Sequence, residues 1–91
     1  MGRSRLFAIA YDIPSDNRRV RTANVLKSYG ERVQYSVFEC FLDSKELREL
    51  KERLLRVIDE GEDSVRIYPI GTPVDILGIG EQRQDEDLIL V

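Results

Sequence analysis

Apolar and polar positions follow two rhythms along this chain, and the changes of rhythm mark out its elements. Leu6 to Tyr11 are six uncharged residues that put apolar side chains on both faces of an extended segment, Leu6, Ala8 and Ala10 on one and Phe7, Ile9 and Tyr11 on the other. A strand apolar on both faces is normally a central one. Asp12 follows as the first acid, Pro14 forbids a further ladder hydrogen bond, and Ser15 or Asp16 is placed to cap a helix that opens on Arg18-Arg19. Residues 16–29 then take the helical rhythm, with Thr22, Val25, Leu26 and Tyr29 on one face and Arg18 extending that stripe back toward the strand end. Gly30 reads as the C-capping glycine.

The run Arg32 to Leu42 is rich in β-branched and aromatic residues but long for one strand, so a reversal or bulge near Tyr35-Ser36 is expected to split it. Asp43-Ser44-Lys45-Glu46 has the form of a capping box and opens a second helix to about Glu60. Leu47, Leu50, Leu54 and Ile58 make its buried stripe, and Glu49 with Arg53 and Glu52 with Arg56 stand four apart on a solvated face. Val65, Ile67 and Pro69 alternate with Arg66, Tyr68 and Ile70 in another strand. Two apolar pieces follow in residues 74–91, Val74 to Ile79 and Leu88 to Val91. This C-terminal segment is expected to add a strand on a partner subunit, because open sheet edges and a terminal apolar run both seek cover. Strand, helix, strand, strand, helix, strand is the order of a ferredoxin-like α+β sandwich, here one domain over residues 1–91. Small size and open edges favour a homodimer.

Composition narrows the chemistry. Histidine is absent, which removes Ser-His-Asp and Cys-His nucleophile systems and any histidine zinc site. The single Cys40 can form no internal disulfide and reads as a buried small hydrophobe, in keeping with a reducing compartment. Any metal must then bind through oxygens, which favours magnesium, manganese or calcium. No signal peptide and no apolar run of membrane-spanning length is present, so a cytoplasmic protein without a membrane partner is expected. The net charge of −3 hides an asymmetry: residues 1–36 carry seven basic and three acidic side chains, residues 37–91 seven and fourteen. A basic N-terminal part on an acidic body is compatible with a phosphate-bearing partner, and equally with a solvated surface.

Asp12, at the mouth of a buried strand, has a structural reading as a local turn former and a functional one as ligand to a divalent cation. One carboxylate is thin for such a site, and a twofold axis near the strand end would supply a second Asp12. A site of this kind suits phosphodiester hydrolysis, with Asp16 or Glu39 as candidate proton acceptors. Arg3, Arg18, Arg19 and Arg32 are candidate phosphate contacts, and Tyr11 and Phe38 could either stack on bases or pack in the core.

The motifs Tyr11-Asp12-Ile13-Pro14-Ser15-Asp16-Asn17-Arg18-Arg19, Gly30 to Cys40, and Asp63-Ser64-Val65-Arg66-Ile67-Tyr68 together resemble the CRISPR-associated Cas-two family, in order and spacing over nearly the whole chain. Where that family commonly has two acids before the Arg-Arg pair, this chain has Ser15 and Asp16. The resemblance implies a ferredoxin-like homodimer whose last strand completes the partner's sheet. It also implies a metal-dependent endonuclease on single-stranded RNA or duplex DNA, with Asp12 as magnesium ligand, manganese being the other candidate. A place beside the CRISPR integrase in spacer capture is implied as well, where the dimer could act as a DNA scaffold without catalysis. A small-ligand regulatory domain on the same fold is the remaining alternative, disfavoured by the lack of a glycine-rich phosphate loop.

Overall fold

The computed structural model describes residues 3–71 and 73–80. Six elements follow in the expected order: β1 (Arg5–Asp12), α1 (Asp16–Lys27), β2 (Gly30–Gln34), β3 (Val37–Leu42), α2 (Ser44–Val57) and β4 (Ser64–Ile70). The four strands form one antiparallel sheet in the order β2-β3-β1-β4, the ferredoxin-like arrangement with β1 and β3 central. Both helices lie on one face. There Phe7, Ile9, Tyr11, Phe38, Cys40 and Leu42 interlock with Leu26, Leu50 and Leu54 in a single core.

Local signals set the element ends. Ser15 caps α1, its Oγ accepting from the Arg18 amide at 3.2 Å. Asp43 and Glu46 close both arms of the capping box at 2.8 and 2.9 Å. α2 stops at Val57, three residues short of the expected Glu60, because Ile58 is already extended and caps the helix through its amide to the Leu54 carbonyl. Arg53, expected to pair with Glu49, turns to the ring of Tyr29 and donates to its hydroxyl. The long β segment does split: the turn falls at Tyr35-Ser36, and a bulge between Arg32 and Gln34 releases Val33 from the ladder.

Gly30 is not a helix cap. α1 ends on Ser28 in right-handed backbone, and Gly30 begins β2. A Cβ there would lie 2.2 Å from the Glu39 carbonyl oxygen and 2.6 Å from Cys40 Sγ, so the glycine is required by the closeness of β3.

Among the described residues, the second face of the sheet carries no helix. Leu6, Ala8 and Ala10 of β1 line its middle, flanked by Val37, Glu39 and Phe41 of β3 and by Arg66, Tyr68 and Ile70 of β4. Beyond β4, Val74 to Ile79 run without regular secondary structure, and Leu77 and Ile79 are fully exposed. The other apolar piece of the tail, Leu88 to Val91, lies outside the described residues.

Candidate nucleic-acid and metal site

Asp12 closes β1 on the helix-free face, opposite Ser64 of β4, and is exposed. Its position follows from the sequence around it. The apolar run drives β1 into the centre of the sheet, and Pro14 with the Ser15 cap turns the chain away one residue after Ile13, leaving the carboxylate at the rim. Among the described residues no side chain pairs with it.

The arginines differ from one another. Arg19 reaches back across the turn, its Nη1 donating to the Ile13 carbonyl at 2.8 Å while Nη2 contacts Asp16. Its guanidinium is thereby held beside the end of β1. Arg32 projects from β2 on the helix side, its guanidinium carbon 5.3 Å from the centre of the Phe38 ring and Nη2 3.5 Å from the Tyr11 hydroxyl. Among the described residues no acid pairs with Arg32 or Lys27. Both line a cleft of about 270 Å³ between α1 and β2, together with Arg19, Asn24, Tyr11 and Tyr35, and none of the residues lining it is acidic.

Several sequence-based expectations change here. Arg18 is committed to Asp63 and Glu62, so it fastens α1 to the loop before β4 instead of offering a free charge to phosphate. Phe38 is fully buried and Tyr11 nearly so, because the register of β1 and β3 turns both rings under the helices; neither face is open to a base. Glu39 pairs with Ala8, four residues from Asp12 along β1, or about 13 Å of strand, too far to serve the same site. Asp16 is occupied by Arg19. Arg3 precedes β1 at the end opposite Asp12. The geometry thus gathers Asp12, Arg19 and Arg32 at one end of the sheet and leaves the others elsewhere. Sequence reasoning missed Lys27, Asn24 and Tyr35. An exposed aromatic in the turn that splits the long β segment was the signal for Tyr35.

The Arg18–Asp63 pair shows the clearest electrostatic coupling among the described residues. The Asp63 side chain is enclosed and accepts from Arg18 Nε at 2.7 Å, Arg18 Nη2 at 3.1 Å and the Asp59 amide at 2.7 Å. The Arg18 hydrogen bonds hold the carboxyl below its ordinary pKa, burial opposes them, and the Asp59 amide adds to the lowering. Arg18 is raised in turn, first by Asp63.

Among the described residues no group of three or more His, Cys, Asp or Glu side chains is placed to hold an ion. The donor chemistry nonetheless fits a hard cation, since magnesium takes one or two carboxylates and completes its shell with water and substrate phosphate. Asp12, exposed and unpaired, can be one of those carboxylates.

Comparison with known proteins gives a consistent result. The family model described as "CRISPR associated protein Cas2" matches residues 5–75. The chain is 59% identical over 76 residues to a "CRISPR-associated endonuclease Cas2 2" of Thermus thermophilus, covering 84% of each. It is 51% identical over 77 residues to a "CRISPR-associated endoribonuclease Cas2 3" of Synechocystis, covering 80% of this chain and 84% of that one. The crystal structure of Streptococcus pyogenes Cas2 superposes with a TM-score of 0.72 at 35% identity, over 80% of this chain and 99% of that one. A chain of a partial Cas6-RT-Cas1–Cas2 complex superposes with a TM-score of 0.66 at 30% identity, over 74% and 79%.

Proposed function

This chain belongs to the CRISPR-associated Cas2 family, and on that premise we propose that it is a metal-dependent endonuclease that cleaves phosphodiester bonds and works in CRISPR spacer acquisition. The observation that carries the reading is the free, exposed carboxylate of Asp12 at the mouth of β1, with guanidinium groups held at the same end of the sheet. Relatives named as endonuclease and endoribonuclease support it.

A cation bound there, magnesium or manganese, supplies Lewis acidity toward a phosphoryl oxygen and an acidified water. Asp12 would hold the cation, and Arg19, whose guanidinium is fixed on the Ile13 carbonyl beside the end of β1, would bind the phosphate and offset the charge that develops on it. The helix-free face is the dimer interface in this proposal. A twofold axis near the end of β1 brings a second Asp12 to the site and removes the shortage of carboxylates in one chain. Asp12→Asn lowers cleavage of labelled single-stranded RNA or duplex DNA by roughly two orders of magnitude or more, with the fold intact by circular dichroism. Cleavage at the wild-type rate by pure Asp12→Asn protein would end the proposal.

A second reading is a DNA-binding scaffold for the CRISPR integrase, and the Cas1–Cas2 assembly among the structural neighbours favours it. In that role Asp12→Asn leaves spacer capture unchanged, whereas Arg19→Glu with Arg32→Glu weakens DNA binding and flattens its salt dependence. The two roles are compatible. In either, no helix of the described residues is long and apolar enough to cross a membrane, and we place the protein in the cytoplasm with Cys40 reduced.

A further inference from the structure

The cleft between α1 and β2 has a form that a duplex contact does not need. It is concave, its volume of about 270 Å³ is near the lower end of small-ligand sites, and Arg19, Lys27 and Arg32 line it with no acid among its described lining residues, Arg19 itself being paired with Asp16. Tyr35 stands at its rim with 75% of its surface exposed, so its ring is open to a partner entering the cleft. The turn carrying Tyr35 is fixed to the catalytic strand: the Tyr11 amide donates to the Ser36 carbonyl at 3.0 Å, and the Tyr11 hydroxyl lies 3.5 Å from the Tyr35 carbonyl oxygen. The cleft and Asp12 therefore sit on opposite sides of one strand end, a single residue apart in the chain. A nucleic-acid strand crossing that end presents a phosphodiester to Asp12 and the adjoining nucleotide to the cleft.

We propose that this cleft is a subsite for one unpaired nucleotide, its base against Tyr35, its phosphate on Lys27 and Arg32, and Asn24 available to a base edge. Bases in a duplex are stacked inside and cannot enter; a splayed base of a single strand can, and aromatic stacking is the usual way such a base is held. The inference rests on the reading of this protein as one that binds nucleic acid, and it assigns single-stranded nucleic acid to the region next to Asp12.

Binding is measured by fluorescence anisotropy in chelator with Asp12→Asn protein, so that neither cleavage nor metal affects the result. Tyr35→Ala lowers affinity for a labelled single-stranded oligonucleotide by about tenfold, Tyr35→Phe restores it, and affinity for a duplex of the same length is unchanged. Lys27→Ala reduces the slope of log affinity against log salt by about 0.7 for the single strand, the value for one lost phosphate contact. Both positions are exposed, so thermal stability stays at the parent value. Equal loss on single strand and duplex, or no loss with Tyr35→Ala, overturns the subsite. If the parent protein binds no nucleic acid at all, the functional reading fails before the subsite is reached. An effect of Tyr35→Ala confined to a protein partner overturns the subsite in favour of a protein contact.

Discussion

Arg18 has three acceptor contacts, Asp63 Oδ2 at 2.7 Å, Glu62 Oε1 at 3.0 Å and Asp63 Oδ1 at 3.1 Å. Such a forked pair is stronger and more directional than an ordinary surface ion pair. It joins the first turn of α1 to the residue before Ser64, and Ser64 is the β4 partner of Asp12. The pair therefore anchors the loop that leads into the Ser64–Asp12 pairing. Its pH dependence follows from the depressed pKa of Asp63. The stability it contributes is complete above the ordinary carboxylate pKa of about 3.9 and is lost as pH falls through the lower folded value. Wild-type protein accordingly loses part of its thermal stability as pH falls below about 4. Asp63→Asn melts lower than wild type at neutral pH and shows a flatter acid limb. Parallel acid limbs in the two proteins would mean that Asp63 is not the group responsible.

At the level of elements, what the sequence revealed and what it hid divide by distance along the chain. The capping box at Asp43 and Glu46, the double-faced apolar run of β1 and the turn at Tyr35-Ser36 depend on neighbours within a few residues, and all form where the pattern places them. The pairing of Arg18 with Asp63 is hidden from any local pattern, because the two lie 45 residues apart. Phe38 and Tyr11 were ambiguous because only the register between β1 and β3, with both helices on one side, decides which alternate side chains are covered. Gly30 followed a helix and looked like its cap, but the fact that requires it, the approach of Cys40, belongs to the β2–β3 pairing. That difference is measurable. A cap glycine tolerates replacement when its backbone is not left-handed, whereas Gly30→Ala must push apart two paired strands against a backbone carbonyl. The substitution costs at least the ~1–3 kcal/mol typical of overpacking. A denaturation midpoint for Gly30→Ala equal to wild type would show that β2 moves away freely.

Considered as a whole, the molecule is a two-layer structure with one layer's outer face unfinished. Ala8 and Ala10 leave the middle of that face shallow, with Val37, Phe41, Tyr68 and Ile70 around it, a shape that lets a second sheet approach to the usual spacing of about 10 Å. The dimer proposed above uses this face, and in that proposal catalysis depends on assembly, because among the described residues one chain brings only Asp12 to the site as an unpaired carboxylate. Ala8→Glu tests both steps together. The position is central on the face and sits beside Glu39 in the register, so the new charge meets a like charge within the chain and again across the interface. Ala8 faces away from the core of Leu26, Leu50 and Leu54, so the variant keeps its helical circular dichroism. Light scattering then shows a monomer where wild type is a dimer, and cleavage falls with the dimer fraction. A dimer that survives Ala8→Glu would move the interface off this face. A monomer that cleaves at the wild-type rate would show that a single Asp12 suffices.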